Sequence, residues 1–395
     1  MLSALAISGL VLAAFGWWIV MPWRAVLHDR KLPALAGLLL KTPSQWPKVS
    51  VLVPARNEED TLFAAIQSLL LVDYPNLEII LINDRSTDQT AAVVERLVQL
   101  DPRVRQIHIE HLPDGWLGKV HALHQATRTS SGEWLLFTDA DVHFTADVLK
   151  QAMSYCIQHQ KGLLALLPDI VTDRGLVGAA QAAFGVLLLS MLNFTRIADP
   201  NSNAAMGVGA FNLVNRQYLD SKAGLEWLRM EVADDVGLAL MMKQRGANPD
   251  ILSGRGLIEV DWYPNLAAML DGVLQRCIMG SNYRLSLFTL SCLFVGLCLG
   301  APLALSFLLA PYSTLAWLCM AAYFIPAVIL LAGGRHIGAA HASLWGISIG
   351  YAIILYGMLR SLVSCLRHGG IYWRGNIYPL HELRAQQRVK MSNFF

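Results

Sequence analysis

The chain has 395 residues, 54% of them hydrophobic and only 15% charged, with a formal net charge of +2. A charged share so far below the roughly 25% of a soluble domain does not suit a wholly soluble protein; it suits one part globular and part membrane-embedded. Six cysteines form no CxxC pair, and four lie in apolar stretches, which argues against a disulfide framework and against a zinc site.

Residues 4–20, "ALAISGLVLAAFGWWIV", are uncharged and end in paired Trp ahead of Arg24, His28, Arg30 and Lys31. Interfacial aromatics followed by a basic flank describe a membrane anchor entering the cytosol. The run lacks the basic n-region and small-residue cleavage site of a signal peptide. The expected division is an anchor over 1–23 and a basic linker over 24–47.

From residue 48 to about 284 apolar runs alternate with helical spacings. "VSVLVPA", "LEIILIND", "VRQIHIE" and "EWLLFTDAD" read as strands, and residues 58–71, 87–100 and 118–128 as helices. Such alternation predicts an α/β domain with a mostly parallel sheet covered on both faces. Ligands bind such sheets beyond the carboxyl ends of the strands. Three strand ends here are polar: "PARNEE", "NDRSTD" and "DAD". Asp139 and Asp141 close one apolar run, and strand alternation points them the same way. Converging like charges repel, and a divalent metal carrying a phosphate is the positive object that fits between them. Asp84 stands where a ligand's N–H or hydroxyl can reach it. Asp88 needs no role beyond a helix N-cap, and Arg56 and Glu58 can simply pair on the surface. His143 returns to the strand face of Asp141, although an exposed loop histidine is the simpler reading. His121 and His124 share a helix face, with no carboxylate or cysteine spaced to complete a zinc site.

Residues 174–194 are apolar but lie inside this domain, and read as an interfacial helix or a buried core helix. Residues 285–332 hold two spans of roughly 20 residues each, with a turn expected at Pro311. "ASLWGISIGYAIILYGML" (342–359) is a third candidate. Three full spans would put the basic tail on the far side from the middle domain, against the positive-inside tendency. One apolar segment is therefore expected to be re-entrant or interfacial. The outer divisions are 48–285 for the α/β domain, 286–366 for the apolar region and 367–395 for a cytosolic tail.

Taken together, the middle motifs resemble the family 2 glycosyltransferases of GT-A fold. "VPARNEEDTL" is similar to the family's first strand and loop. "NDRSTDQT" is similar to its Asp-Asp-x-Ser-x-Asp pattern, with Asn83 in place of the first Asp. "WLGKVHALHQA" resembles the Gly-Lys-x-x-Ala-Leu element and "TDADVHF" the Asp-x-Asp signature. "GVGAFNLVNRQYL" resembles the acceptor-side strand and helix. "ADDVGLALMMKQRG" resembles the Glu-Asp catalytic motif, with Asp234 in place of Glu. An ordered set over roughly residues 48–250 is far more specific than any one motif. The layout looks most like the members that modify hopanoids, carotenoids and ceramide. The Gln/Arg-x-x-Arg-Trp motif of processive synthases is absent, the nearest stretch being "LQRCIMGSNYR", and this departure weighs against polymer synthesis.

The resemblance implies inverting, metal-dependent transfer of a sugar from a nucleotide-sugar donor to a membrane lipid, with a UDP-sugar favoured and an isoprenoid or sphingolipid-like acceptor. Pro54, Ala55, Arg56, Glu58 and Asp84 would serve the nucleoside, Asp139 and Ala140 the ribose or sugar, and Lys119 the diphosphate. Asp141 would ligate Mg²⁺ or Mn²⁺. Asp235, with Asp234 beside it, would take the acceptor proton, and Gly209, Ala210 and Phe211 would face the acceptor. Trp373 and Arg374, in "GGIYWRGNIYPL", could replace the missing motif at the donor or could sit at lipid headgroups. The expected place is the inner membrane, with the catalytic domain in the cytosol; the bilayer is a partner and nucleic acid is not. A polyprenyl-phosphate glycosyltransferase or a polysaccharide synthase is the alternative within enzymes. A transporter or nucleotide-sensing scaffold is the alternative outside them, and it would leave Asp235 unexplained.

Overall fold

The computed structural model describes residues 2–171, 175–220, 223–308, 313–333 and 346–390. The chain divides into a helical unit (Met1–Lys31, Thr172–Leu192, Tyr263–Ala385) and an α/β unit (Leu32–Val171, Asn193–Trp262, Gln386–Phe395).

The α/β unit contains strands β1 (Val49–Ala55), β2 (Leu77–Asp84), β3 (Val104–Ile109), β4 (Trp134–Phe137), β5 (Val142–Phe144), β6 (Leu163–Leu167), β7 (Asp169–Ile170), β8 (Asn212–Asn215), β9 (Pro249–Ser253) and β10 (Ile258–Val260). Seven form one sheet in the order β3-β2-β1-β4-β8-β6-β9, and β5, β10 and β7 form a small second sheet. The main sheet is mostly parallel; β8 alone runs antiparallel, against both β4 and β6. Every residue of β2 is buried, and so is all of β1 except Pro54. Burial on both faces is why these strands read as unbroken apolar runs. The register sets Ala55 beside Asn83 and Asn83 beside His108, so the carboxyl ends of β1, β2 and β3 finish together.

Three local expectations are corrected. The helices expected from residues 58 and 87 begin at Leu62 and Thr90. In the first case Thr61 and Leu62 donate to Glu58 O in a turn, and in the second Asp88 Oδ1 accepts the Thr90 N–H at 3.0 Å. "EWLLFTDAD" is not one strand: β4 stops at Phe137, and the chain crosses through a turn at residues 138–141 into β5 of the second sheet. Strand alternation therefore does not orient Asp139 and Asp141. The linker is also partly structural. Ser253 N–H donates to Pro33 O (2.8 Å), Leu35 N–H donates to Ser253 O (2.9 Å), and Leu35 is fully buried in the core.

In the helical unit the N-terminal helix runs from Leu2 to Lys31, beyond the expected anchor, and ends on His28, Arg30 and Lys31, the last two being cations that suit a helix C-terminus. Among the described residues, three helices are long and apolar enough to cross a membrane: Gly9–Lys31, Leu285–Leu308 and Gly346–His368. Between the last two, the described chain is broken into Ser313–Ala321, a 3₁₀ turn Ala322–Phe324, and Ile325–Gly333. The expected turn at Pro311 and residues 342–345 of the third candidate lie outside the described residues. Gly175–Met191 belongs to this unit and packs on the N-terminal helix and on Gly346–His368. So do the residues from Tyr263 to Arg284, because their 3₁₀ segment Leu274–Ser281 packs on Gly346–His368 through Ser361 Oγ donating to Gln275 O (2.9 Å). Trp18 Nε1 donates to Ala322 O (3.0 Å), and Ser348 Oγ donates to Tyr323 O (3.0 Å), so these two polar groups in the apolar bundle find backbone partners. A hairpin of β11 (Gly370–Trp373) and β12 (Asn376–Pro379) follows.

Candidate active site

The loops after β1 and β2 are laced together. Asn57 N–H donates to Ser86 Oγ (3.1 Å), Thr87 N–H to Asn57 Oδ1 (2.8 Å), and Gln89 N–H to Glu59 Oε2 (2.7 Å). This brings the expected nucleoside side together from two strand ends. Asp84 is 3% exposed, and both its oxygens accept from Arg85, Oδ1 from Nε at 2.7 Å and Oδ2 from Nη2 at 2.9 Å. Arg85 holds this clamp with φ of +54°, a left-handed conformation uncommon for a non-glycine residue. Its role was not legible from residue type, since Arg56 looked the better candidate. Asn83 donates toward His108 Nδ1 (3.2 Å), while its buried Oδ1 has no partner.

The second cluster forms where the β4–β5 turn, the helix Gly118–Thr129, the loop before β8 and the helix Asp234–Gln244 converge. Lys119 Nζ lies 2.7 Å from Asp139 Oδ1 and 3.4 Å from Asp234 Oδ2. Burial disfavours its charge, but Asp139, Asp234 and Asp235 outweigh burial and hold the ammonium well above the ordinary lysine value. Asp235 Oδ2 accepts the Gly209 N–H (3.1 Å) and Oδ1 accepts the Val236 N–H (2.8 Å). Burial, then the charge of Asp234, pushes the Asp235 carboxyl up to about 6 against the pull of Lys119. Its dry side is a small cavity floored by Val120, Leu123, Phe137, Leu225, Leu228 and Leu238. Both acids occupy the first turn of their helix, where the helix dipole favours negative charge. Gly209 allows the close approach: a Cβ there would stand 2.6 Å from Asp139 Oδ2.

Asp141 is governed by other carboxylates. Burial, then Asp139 and Glu58, pushes it up to about 7. Among the described residues no group of three His, Cys, Asp or Glu is placed to hold a metal. Mg²⁺ commonly takes one or two carboxylates and draws its remaining ligands from phosphates and water, so an Asp141 crowded by negative charge fits such an ion.

Several expected contacts are not made by side chains. Ala55, Ala140, Ala210 and Phe211 are buried in the hydrophobic core, the Phe211 N–H donates to Val208 O (2.9 Å), and Pro54 is half-buried. Thr138 Oγ1 donates to Ala210 O (2.7 Å), and Asn212 bonds Val208 through both N–H (3.1 Å) and carbonyl (2.9 Å). Those two polar positions fix the loop before β8, and sequence reasoning missed both. His121 and His124 stack on Trp116, and burial lowers both imidazoles below their ordinary value. His143 lies on β5 opposite Glu259. Trp373 and Arg374 stand at the β11–β12 turn of the helical unit, where the Arg276 guanidinium lies 4.6 Å from the Trp373 ring centre.

Residues 50–221 match the family described as Glycosyl transferase family 2. The chain carries a family 2 glycosyltransferase domain. It is 27% identical over 212 residues to a beta-monoglucosyldiacylglycerol synthase of Synechocystis sp., an alignment covering 53% of this chain and 43% of that one. It is 28% identical over 172 residues to a 4,4'-diaponeurosporenoate glycosyltransferase of Staphylococcus aureus, covering 43% and 44%. The chain thus spans less than half the length of these curated relatives. The GT-A fold is shared with a mannosyltransferase of Pyrobaculum calidifontis solved with GDP-Man and Mn²⁺, at 20% identity and a TM-score of 0.55 over 93% of this chain and 99% of that one.

Proposed function

We propose that the chain transfers one sugar, with inversion, from a nucleotide-sugar donor to a lipid hydroxyl at the membrane. The observation that carries this reading is Asp235: a carboxylate raised toward neutrality, aimed by two backbone N–H groups and set beside Lys119 and Asp139. A raised carboxylate is suited to accept a proton near neutral pH. In the proposed step the acceptor hydroxyl gives its proton to Asp235 while its oxygen attacks the anomeric carbon. The bond from that carbon to the diphosphate breaks on the opposite face. Lys119 holds Asp139 and Asp234 in place and lends positive charge to the site. Asp141 would hold Mg²⁺ or Mn²⁺, which would neutralise charge gathering on the departing diphosphate. A lipid acceptor is supported by the relatives, one named as a monoglucosyldiacylglycerol synthase and one as a diaponeurosporenoate glycosyltransferase, and by the three apolar helices. A UDP-sugar is the favoured donor, and the catalytic unit is placed on the cytosolic side of the inner membrane.

The test uses the full chain in detergent with UDP-glucose, Mn²⁺ and diacylglycerol. UDP release should require the lipid and stop on addition of a chelator, and Asp141→Ala should lose Mn²⁺-dependent UDP binding. Release indifferent to chelation would remove the metal from the account. Absence of release from any nucleotide-sugar in a panel would remove glycosyl transfer.

A further inference from the structure

The last described residues, 386–390, return to the loop that carries the acid pair. Glu231 stands three residues before Asp234 and is 2% exposed. Its Oε2 accepts the backbone N–H groups of Arg388 (2.7 Å) and Val389 (2.9 Å), and its Oε1 accepts the Ala233 N–H (3.1 Å). One buried carboxylate thus joins the tail to the residue immediately before the acids. Around it, Arg388 Nε donates to Trp227 O (3.1 Å), its guanidinium lies 5.0 Å from the Trp227 ring centre, and Arg229 Nε donates to Gln386 Oε1 (2.7 Å). Arg229 O in turn accepts the N–H of Leu117, two residues before Lys119. Val389 is buried against the first turn of the acid-bearing helix. A Cβ on Gly237 would stand 2.6 Å from Leu228 Cδ2, 3.1 Å from Glu231 Cγ and 3.6 Å from Val389 Cγ2, so the bare glycine lets Leu228 and Glu231 close on the helix, with Val389 in contact beside them.

Removing the tail would strip two of three donors from a buried carboxylate. A buried anion without its hydrogen bonds is strongly disfavoured, so the loop from 231 to 235 would have to rearrange to reach water. We propose that residues 386–390 are a strap that sets the acid pair, with Glu231 as the positioning residue through which it acts; this rests on the glycosyltransferase reading above. The strap touches no reacting atom. It sets where Asp235 stands, and so turnover more than donor affinity.

The experiment compares three forms in detergent: the full chain, the chain ended at Ala385, and Val389→Pro, which removes one of the two tail N–H donors without shortening the chain. Turnover with UDP-glucose and diacylglycerol should fall roughly 10- to 100-fold in both variants while UDP–Mn²⁺ affinity stays within about twofold, as expected for lost positioning. A peptide of residues 384–395 should restore part of the turnover to the shortened chain. Amide hydrogen exchange should quicken over residues 231–238 and stay unchanged over β1. Unchanged turnover in the shortened chain overturns the proposal. So does a joint loss of turnover, UDP affinity and β1 protection, which would make the tail a general support of the fold. If the full chain itself transfers no sugar, the functional reading fails separately, and the exchange comparison still decides whether the strap holds the loop.

Discussion

Asp141 and Asp235 are both carboxylates raised by burial, yet their surroundings suit them to opposite tasks. Asp141 feels the charges of Asp139 and Glu58 more strongly than that of Lys119, and so suits a metal. Asp235 faces Lys119 and Asp234 and accepts two backbone N–H groups, so it is aimed and partly compensated, as a base should be. The sign of its pH effect follows. A base must be ionised to accept a proton, so lowering the pH through about 6 should extinguish turnover and raising it above 6 should bring a plateau. Turnover measured against pH at saturating donor checks this, and a profile flat from acid to neutral pH would remove the assignment. Removing the Lys119 charge by Lys119→Met should move the acid limb to higher pH, because Lys119 is what lowers the Asp235 value.

The elements that hold these residues differ in how far they can be read from the chain. β1 and β2 were legible to the residue because burial on both faces makes their middles apolar, with the polar Asn83 and Asp84 gathered at the carboxyl end of β2. The order of motifs placed Asp84, Lys119, Asp139 and Asp235 near strand ends and helix starts, where they lie. The turn at residues 138–141 was not legible, since the departure of the chain to a second sheet is decided by β10, more than 100 residues on. The partners of Asp84 and Glu231 were hidden for related reasons: one is a neighbour in a left-handed conformation, the other a tail 157 residues away. Lys243 shows the same limit. It reads as a solvated lysine, yet it is buried, and its Nζ donates to Arg196 O (3.0 Å), Ile197 O (2.8 Å) and Ala204 O (2.7 Å) ahead of the loop before β8. Lys243→Met should leave those carbonyls unmatched and destabilise the α/β unit by roughly 2–3 kcal/mol. Denaturant unfolding followed in detergent measures this, and a loss under about 0.5 kcal/mol would mean water replaces the ammonium.

At the scale of the whole molecule, two observations bear on the expected conflict between span number and tail position. After the α/β unit only Leu285–Leu308 and Gly346–His368 reach span length among the described residues, an even number. Residues 386–390 are bonded into the α/β unit itself, which predicts that the tail and this unit share one side of any membrane the helices cross. Cysteines introduced at Ser131 and Glu259, on either side of Gly175–Met191 in sequence, should therefore react with an impermeant reagent from the same side in sealed vesicles. Labelling from opposite sides would make Gly175–Met191 a span and break the account of the α/β unit. Exposed Leu293, Phe307, Trp317 and Leu366 give the helical unit an apolar surface of the kind that suits a bilayer, in keeping with the proposed lipid acceptor. The central claim is that Asp235 drives sugar transfer to such a lipid. It is tested most directly by following radiolabelled glucose from UDP-glucose into the organic phase of a bacterial lipid extract, with the full chain and with Asp235→Asn at equal UDP–Mn²⁺ occupancy. The account predicts labelled lipid with the full chain and a rate lower by roughly 10²- to 10⁴-fold with the variant. Equal labelling by both, or label that stays in water with both, would contradict it.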